Sequence, residues 1–332
     1  MNKTFIIAEA GVNHNGRMDL AFRLCDAAKE AGADAVKFQT WVTERIVTRD
    51  TSMAGYQQQN LGSEGSQFEM LKALELSYPQ FAEIKRYCDG IGLTFLSTGD
   101  NPEDIDFLLG LGMPRVKLGS GDITNIPLLR HVGHCGRPVL LSTGMSDLEQ
   151  VRKAFRALRE AGAEDITVLH CTTNYPCPPQ EVNLRAMQTL ACELDCPVGY
   201  SDHTLGTEVP VAAVAMGACV IEKHLTLDRH LEGPDHPASM EPADFAEMVS
   251  QIRRIEAALG DGIKRPNPSE AAIRPGVLKR IVAACPIRKG DVLTPERLAV
   301  KRSPAGIGAD RWDEICMTRA TRDYQPDEAI EP

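Results

Sequence analysis

Along the first 260 residues one pattern of apolar and polar positions recurs. A helical stretch with apolar residues at three- and four-residue spacing ends on a small residue or glycine, and a short apolar run follows that closes on polar side chains. The clearest copies are AGADAVKFQT (31–40), LGMPRVKLGS (111–120), AGAEDITVLHCT (161–172) and MGACVIEKHL (216–225), with shorter runs at FIIAE, LTFLST, PVLLST and PVGYS. These predict eight strands, at 5–9, 35–39, 93–98, 115–118, 139–142, 166–170, 198–201 and 220–224. Helical periodicity lies between most of them, at 19–31, 102–111, 147–161, 183–194 and 208–216, and again at 243–259.

Near-continuous apolar strands alternating with helices describe a parallel sheet covered on both faces. Eight such units in about 250 residues match a (β/α)₈ TIM barrel. A doubly wound open sheet is the second choice, but no GxGxxG follows the first strand. Every predicted strand ends on polar residues or glycine, and a barrel gathers those ends on the face where its active site is built.

Composition shifts after Gly260. The stretch DGIKRPNPSEAAIRPG (261–276) is rich in proline and polar residues and shows no periodicity, so a linker is expected at 263–277, between a barrel domain at 1–262 and a small unit at 278–332. That unit is near the lower size limit for folding alone.

Charge narrows the function. The chain of 332 residues carries 36 Lys+Arg against 46 Asp+Glu, a net charge of −10, with no basic run, which argues against a nucleic-acid partner. The N-terminal apolar run is interrupted by Glu9 and no apolar stretch approaches about 18 residues, so neither a signal peptide nor a membrane partner is expected and a cytoplasmic location is the default. Ten cysteines are scattered without paired metal spacing, and several (Cys25, Cys88, Cys219, Cys285) fall inside apolar runs, which suits reduced, small apolar side chains.

Candidate chemistry gathers at the strand ends. His203 closes SDH on the seventh strand and His224 closes EKH on the eighth; neutral imidazoles on adjacent strands could hold a divalent metal, or be two rim histidines without one. Lys37 and Gln39 are two apart on a strand and share a face, opposite Val36 and Phe38. Lys117 repeats the arrangement in KLGSGD, and with Ser120, Ser142 and Ser201 the two lysines suggest a phosphate or carboxylate cradle. The plainer reading of each lysine is an internal ion pair with Glu9, Glu222 or Asp122. Asp235, in GPDHPAS, could orient a sugar hydroxyl or simply sit in a turn.

At this point the chain resembles the sialic acid synthase family, enzymes that make N-acetylneuraminate, N,N'-diacetyllegionaminate and related nine-carbon sugar acids. The matching stretches are IAEAGVNHNG (7–16), VKFQT (36–40), KLGSGD (117–122), LLSTGM (140–145), LHCTTNYP (169–176), GYSDHTLG (199–206), IEKHLTLDR (221–229) and GPDHPASMEP (233–242). KRSPAGIG (301–308) resembles part of the family's C-terminal antifreeze-like (SAF, β-clip type) domain.

The resemblance implies a (β/α)₈ barrel followed by that domain, exchanged across a homodimer. It also implies condensation of phosphoenolpyruvate with an N-acetylated mannose-type sugar, aided by Mn²⁺ or a similar ion such as Mg²⁺ or Co²⁺. His203 and His224 fall on the family's metal ligands. Lys37, Thr98, Lys117, Ser120, Ser142, Thr173 and Ser201 fall around phosphoenolpyruvate. Glu9, Gln39, Tyr175 and Asp235 fall around the sugar, with Arg302 reaching in from the other subunit. Asp122, Glu9 and Lys117 are the residues expected to take part in the chemistry, Asp122 by proton transfer.

Three departures stand out: STGD (97–100) where the family reads STPF or STPD, SGD where it reads SGE, and Asn174 where many members carry Glu. Two acceptors fit, N-acetylmannosamine and a 2,4-diacetamido-2,4,6-trideoxymannose that would give N,N'-diacetyllegionaminate. A metal-dependent sugar isomerase or aldolase on the same barrel would use the same histidines without releasing phosphate.

Overall fold

In a computed structural model, which describes residues 3–62 and 65–331, the chain divides into two compact units, one ending at Asp261 and the other beginning at Gly262.

The first unit is a closed barrel of eight parallel strands in sequential order. They are β1 (Phe5–Gly11), β2 (Ala35–Thr40), β3 (Thr94–Gly99), β4 (Val116–Leu118), β5 (Val139–Ser142), β6 (Ile166–Cys171), β7 (Val198–Asp202) and β8 (Val220–His224). One principal helix follows each strand: α1 (Met18–Glu30), α2 (Tyr78–Ile91), α3 (Pro102–Gly110), α4 (Ile126–His134), α5 (Leu148–Glu160), α6 (Ala186–Leu194), α7 (Glu208–Ala215) and α8 (Pro242–Leu259). The predicted strands coincide with the observed ones to within two residues at each end.

The apolar periodicity does not predict α2 or α4, although both carry start signals. Asn125 accepts from the Leu128 amide at 3.3 Å and Pro127 occupies the first turn of α4; the Ser77 amide and hydroxyl both donate to Gln80 Oε1 at 2.8 Å at the start of α2, with Pro79 in its first turn. The long excursion between β2 and α2 holds three further short helices, at Thr43–Ile46, Gly55–Leu61 and Gln67–Leu74.

Alternation along the strands sorts the side chains. Val36 and Phe38 pack into the apolar layer between strands and helices, while Lys37 and Gln39 face the other way. On β8, Ile221 joins that core and Glu222 and His224 face inward. Lys223 leaves the centre and pairs with Asp202 at 2.5 Å, both fully buried. Gly199 on β7 has a steric reason: a Cβ there would lie 2.6 Å from Leu169 Cδ2 and 2.6 Å from the Val220 carbonyl oxygen.

The second unit opens with α9 (Pro268–Val277), which corrects the expectation of an irregular linker at 263–277. Asn267 caps this helix by accepting from the Glu270 amide at 3.0 Å, while Glu270 accepts from the Asn267 amide at 3.0 Å and Pro268 takes the first position. An antiparallel pair follows, β9 (Lys279–Ala283) and β10 (Leu298–Arg302), over a core of Ile281, Ile287, Leu298, Ile307 and Tyr324. Arg302 is exposed at the end of β10, opposite Lys279.

All ten cysteines are free. Cys25 and Cys88 are buried as expected, but Cys219, just before β8, is exposed, and Cys285 is only half-buried. Among the described residues no helix is long and apolar enough to cross a membrane.

Candidate active site

The inward side chains at the carboxyl ends of the strands enclose a cavity of roughly 180 Å³. That is below the roughly 300 Å³ of a typical drug-sized pocket, so it suits a small ligand. Of the residues singled out in the sequence it is lined by Glu9, Lys37, Gln39, Thr98, Lys117 and Ser120, and by Ser142, Thr173, Tyr175, Ser201, His203 and His224. Asp122, Asp235 and Arg302 are not among its lining residues. Asp100, Cys171, Met145 and Glu222 are, and none had been given a role in the site.

Charge is concentrated at its floor. Lys37 Nζ lies 2.6 Å from Glu9 Oε2 and 3.9 Å from Glu222 Oε2, and donates to Thr98 Oγ1 at 3.0 Å. Lys117 Nζ is 3.3 Å from Glu222 Oε1, which also accepts from Ser201 Oγ at 3.0 Å. Gln39 Nε2 donates to Glu9 Oε1 at 3.0 Å. The plainer reading of the lysines as internal ion pairs is therefore realised, and Glu222 is the carboxylate they share.

The two carboxylates are not equivalent. Burial raises the pKa of Glu9 to about 7, against the pull of Lys37. Burial also opposes ionisation of Glu222, but Lys117 and Lys37 outweigh it and hold the group at about 2. Asp100 is raised to about 8, by burial first and then by Asp122 and Asp104. Near pH 7 the lysines thus face one firmly ionised carboxylate and two that readily take a proton, which leaves positive charge available to an anion in an otherwise acidic chain.

The hydroxyls match that surplus. Ser142 Oγ and Thr173 Oγ1 are buried without a hydrogen-bond partner, a costly state that a ligand acceptor would relieve. Ser120 Oγ accepts from the Gly144 amide at 3.0 Å and lies 3.1 Å from Cys171 Sγ. A Cβ on Gly144 would fall 2.2 Å from Thr173 Oγ1 and 2.9 Å from Ser120 Oγ, so only glycine leaves both hydroxyls room.

The two histidines lie side by side at the rim of the cavity. Their ring centroids are 5.5 Å apart, and burial lowers the pKa of His203 and lowers that of His224 well below its ordinary value, so both stay neutral. His203 Nδ1 donates to the Thr172 carbonyl at 2.6 Å, which leaves its Nε2 with a free lone pair. His224 Nδ1 is buried without a hydrogen-bond partner and lies 3.9 Å from Asp235 Oδ2. The Tyr175 ring sits 4.2 Å from the His203 ring, centroid to centroid.

Two expected residues stand back from the cavity. Asp122 ends the single turn Ser120–Asp122, where it accepts from Asn125 Nδ2 at 3.1 Å, and burial raises its pKa. Its neighbours Ser120 and Gly121 line the cavity in its place. Asp235 is buried beside His224, and burial raises it to about 6. Arg302 belongs to the second unit. The one sequence signal for Asp100 was the STGD departure itself; Glu222 was visible only as a possible ion-pair partner.

These shifts fix the sign of the pH dependence. Glu9, Asp235 and Asp100 have folded pKa values of about 7, 6 and 8, above their ordinary 4.5, 3.8 and 3.8, so their contribution to stability is complete at low pH and is lost as pH rises through about 6–8. Glu222, depressed from 4.5 to about 2, contributes above about pH 4.5 and loses that contribution only as pH falls toward 2. His14, His170, His203, His224 and His236 have lowered pKa values and add stability as pH rises toward their ordinary 6.5, so the carboxylates are read above that point. The thermal midpoint of the ligand-free protein is expected to fall from about pH 7 to pH 8, and Asp100→Asn to flatten that fall. A midpoint that climbs from about pH 7 to 8, or an identical slope in the variant, would contradict this assignment.

Comparisons with known proteins identify the family to which the chain belongs. The NeuB family matches residues 24–264. The N,N'-diacetyllegionaminic acid synthase of Legionella pneumophila is 47% identical over 319 residues, covering 95% of this chain and 90% of that one. Human N-acetylneuraminate-9-phosphate synthase is 38% identical, over 90% of this chain and 82% of its own. Among solved structures, the N-acetylneuraminic acid (sialic acid) synthetase of Leptospira borgpetersenii, crystallised with citrate, superposes with a TM-score of 0.74 at 34% identity, covering 82% of this chain and 90% of that chain. With its closed barrel, its cation-and-hydroxyl cavity and this degree of likeness, the chain belongs to the NeuB family.

Proposed function

We propose that the protein is a phosphoenolpyruvate-dependent condensing synthase that makes a nine-carbon 2-keto-3-deoxy sugar acid of the N-acetylneuraminate type. The observation that carries this reading is the floor of the cavity, where Lys37 and Lys117 meet the unpartnered hydroxyls of Ser142 and Thr173. A small, doubly anionic substrate satisfies all four at once.

Phosphoenolpyruvate would rest its phosphate and carboxylate on Lys37, Lys117, Ser120, Ser142, Thr173 and Ser201. Glu9 and Gln39, hydrogen-bonded to each other, would hold an open-chain sugar with its aldehyde carbon facing C3 of phosphoenolpyruvate. A divalent ion such as Mn²⁺, held by His203 and His224, would supply Lewis acidity toward the aldehyde oxygen. The carbon–carbon bond forms from the enol double bond to the aldehyde carbon, and the aldehyde oxygen ends as a hydroxyl. Water adds at C2 and gives up a proton, and the C2–O bond to phosphate breaks to leave the ketone. Asp122 would serve as the proton-transfer group, and Asp100, which lines the cavity and feels Asp122 and both lysines, as a second holder of the proton.

A second reading of the acceptor has specific support. The Legionella relative is named for N,N'-diacetyllegionaminic acid, which favours a 2,4-diacetamido-2,4,6-trideoxymannose over N-acetylmannosamine. Phosphate release from phosphoenolpyruvate, measured against both sugars, separates them. Release is expected with one sugar and not without it, and to stop with chelator or in His203→Ala. Release independent of any sugar, or full activity in chelator-stripped protein, would reject the proposal.

The C-terminal unit is taken, from KRSPAGIG, as an antifreeze-like domain that supplies Arg302 to a partner's cavity in a homodimer. Mixing Arg302→Ala with His203→Ala chains under subunit exchange should restore activity, because one site in each mixed dimer regains both groups. Persistent inactivity despite proven exchange would show that Arg302 does not serve the partner.

A further inference from the structure

Three metal-binding side chains that the proposed reaction does not use meet on the outer helical layer of the barrel. Asp106 lies on α3; His131 lies on α4, and Cys135 is the residue that ends it. A spacing of four puts His131 and Cys135 on one face of that helix, and α3 packs beside α4. One oxygen, one nitrogen and one sulfur from the three side chains all lie within 4.8 Å of one another. His131 Nε2 and Asp106 Oδ1 are 2.8 Å apart, and the Cys135 thiol donates to the His131 carbonyl at 3.3 Å. None of the three lines the barrel cavity.

We propose that Asp106, His131 and Cys135 form a zinc site that clamps α3 to α4. The donor set selects the ion. Thiolate with imidazole suits a borderline cation such as zinc, whereas magnesium and calcium want an all-oxygen shell. Zinc accepts three protein donors and one water in a tetrahedron, with bonds of about 2.0–2.3 Å that set the donors about 3.3–3.7 Å apart. The cluster reaches that spacing by side-chain rotation, because the Asp106 and His131 side chains are 62% and 31% exposed and free to turn. Solvent also reaches the site by the same opening. On binding, the Cys135 thiol loses its proton to water and the sulfur turns from the helix carbonyl to the metal. Asp106 and His131 exchange their mutual hydrogen bond for bonds to the ion.

The test uses full-length protein stripped of metal, titrated with zinc alone and separately with Co²⁺, whose thiolate complexes show an intense near-ultraviolet band. That band reports sulfur ligation, and its loss in Cys135→Ser separates Cys135 from Cys171, which lines the cavity with His203 and His224. The wild type should take up one zinc per chain more than Cys135→Ser, bind that ion at least tenfold more tightly than either Cys135→Ser or His131→Gln, and show a cobalt–thiolate band that Cys135→Ser lacks. Equal zinc stoichiometry in the wild type and both variants, or a thiolate band that survives in Cys135→Ser, overturns the site. If Cys135→Ser does not fold, His131→Gln decides by the same affinity ratio.

Discussion

Glu222 lies between Lys37 and Lys117, buried at the mouth of the barrel, and the rest of the site is arranged around that contact. Burying such charges is costly unless each has partners. Glu222 has two ammonium groups and the Ser201 hydroxyl; Lys37 has Glu9 and Thr98 as well. One carboxylate whose pKa is held at about 2 keeps both cations in place, while Glu9 and Asp100 are left close enough to neutrality to give way. A site assembled in this way is stable when empty yet presents spare positive charge and unpartnered hydroxyls to an incoming anion. Overall charge, at −10, works against such a ligand, so the selectivity must be local.

The barrel converts strand alternation into this geometry. Glu9, Lys37 and His224 come together because β1 pairs with β2 on one side and β8 on the other, placing Glu9 level with both Lys37 and His224. The same alternation removes Lys223 from the centre, where Asp202 neutralises it between barrel and helices. A substitution that shifted any of these strands by one residue would exchange the inward and outward sets completely.

Much of this was legible in the sequence because the informative features are periodic. Two-residue spacing identified Lys37 with Gln39, and strand-final positions identified His203, His224 and Lys117. What the pattern could not convey was how far a residue just past a strand end reaches. Asp100, immediately after β3, turns into the cavity, whereas Asp122, at the end of a single helical turn after β4, turns toward Asn125. Helix α9 was hidden for a different reason: proline and polar residues suggested a linker, yet Asn267, Pro268 and Glu270 are a cap, a first-turn residue and its reciprocal partner. The apolar run around Cys219 likewise concealed that this residue precedes the strand and faces solvent.

If the proposed anion site is right, Glu9 and Asp100 take up protons as an anion enters beside Glu222, which is ionised near neutral pH. Calorimetric titration of the full-length protein with phosphoenolpyruvate at pH 8, where the ligand's phosphate and carboxylate are both ionised, measures this directly when repeated in buffers of different ionisation enthalpy. Net proton uptake on binding is the expected result, and it should disappear when Glu9→Gln and Asp100→Asn are combined. Binding with no proton uptake, or with proton release, would contradict the account.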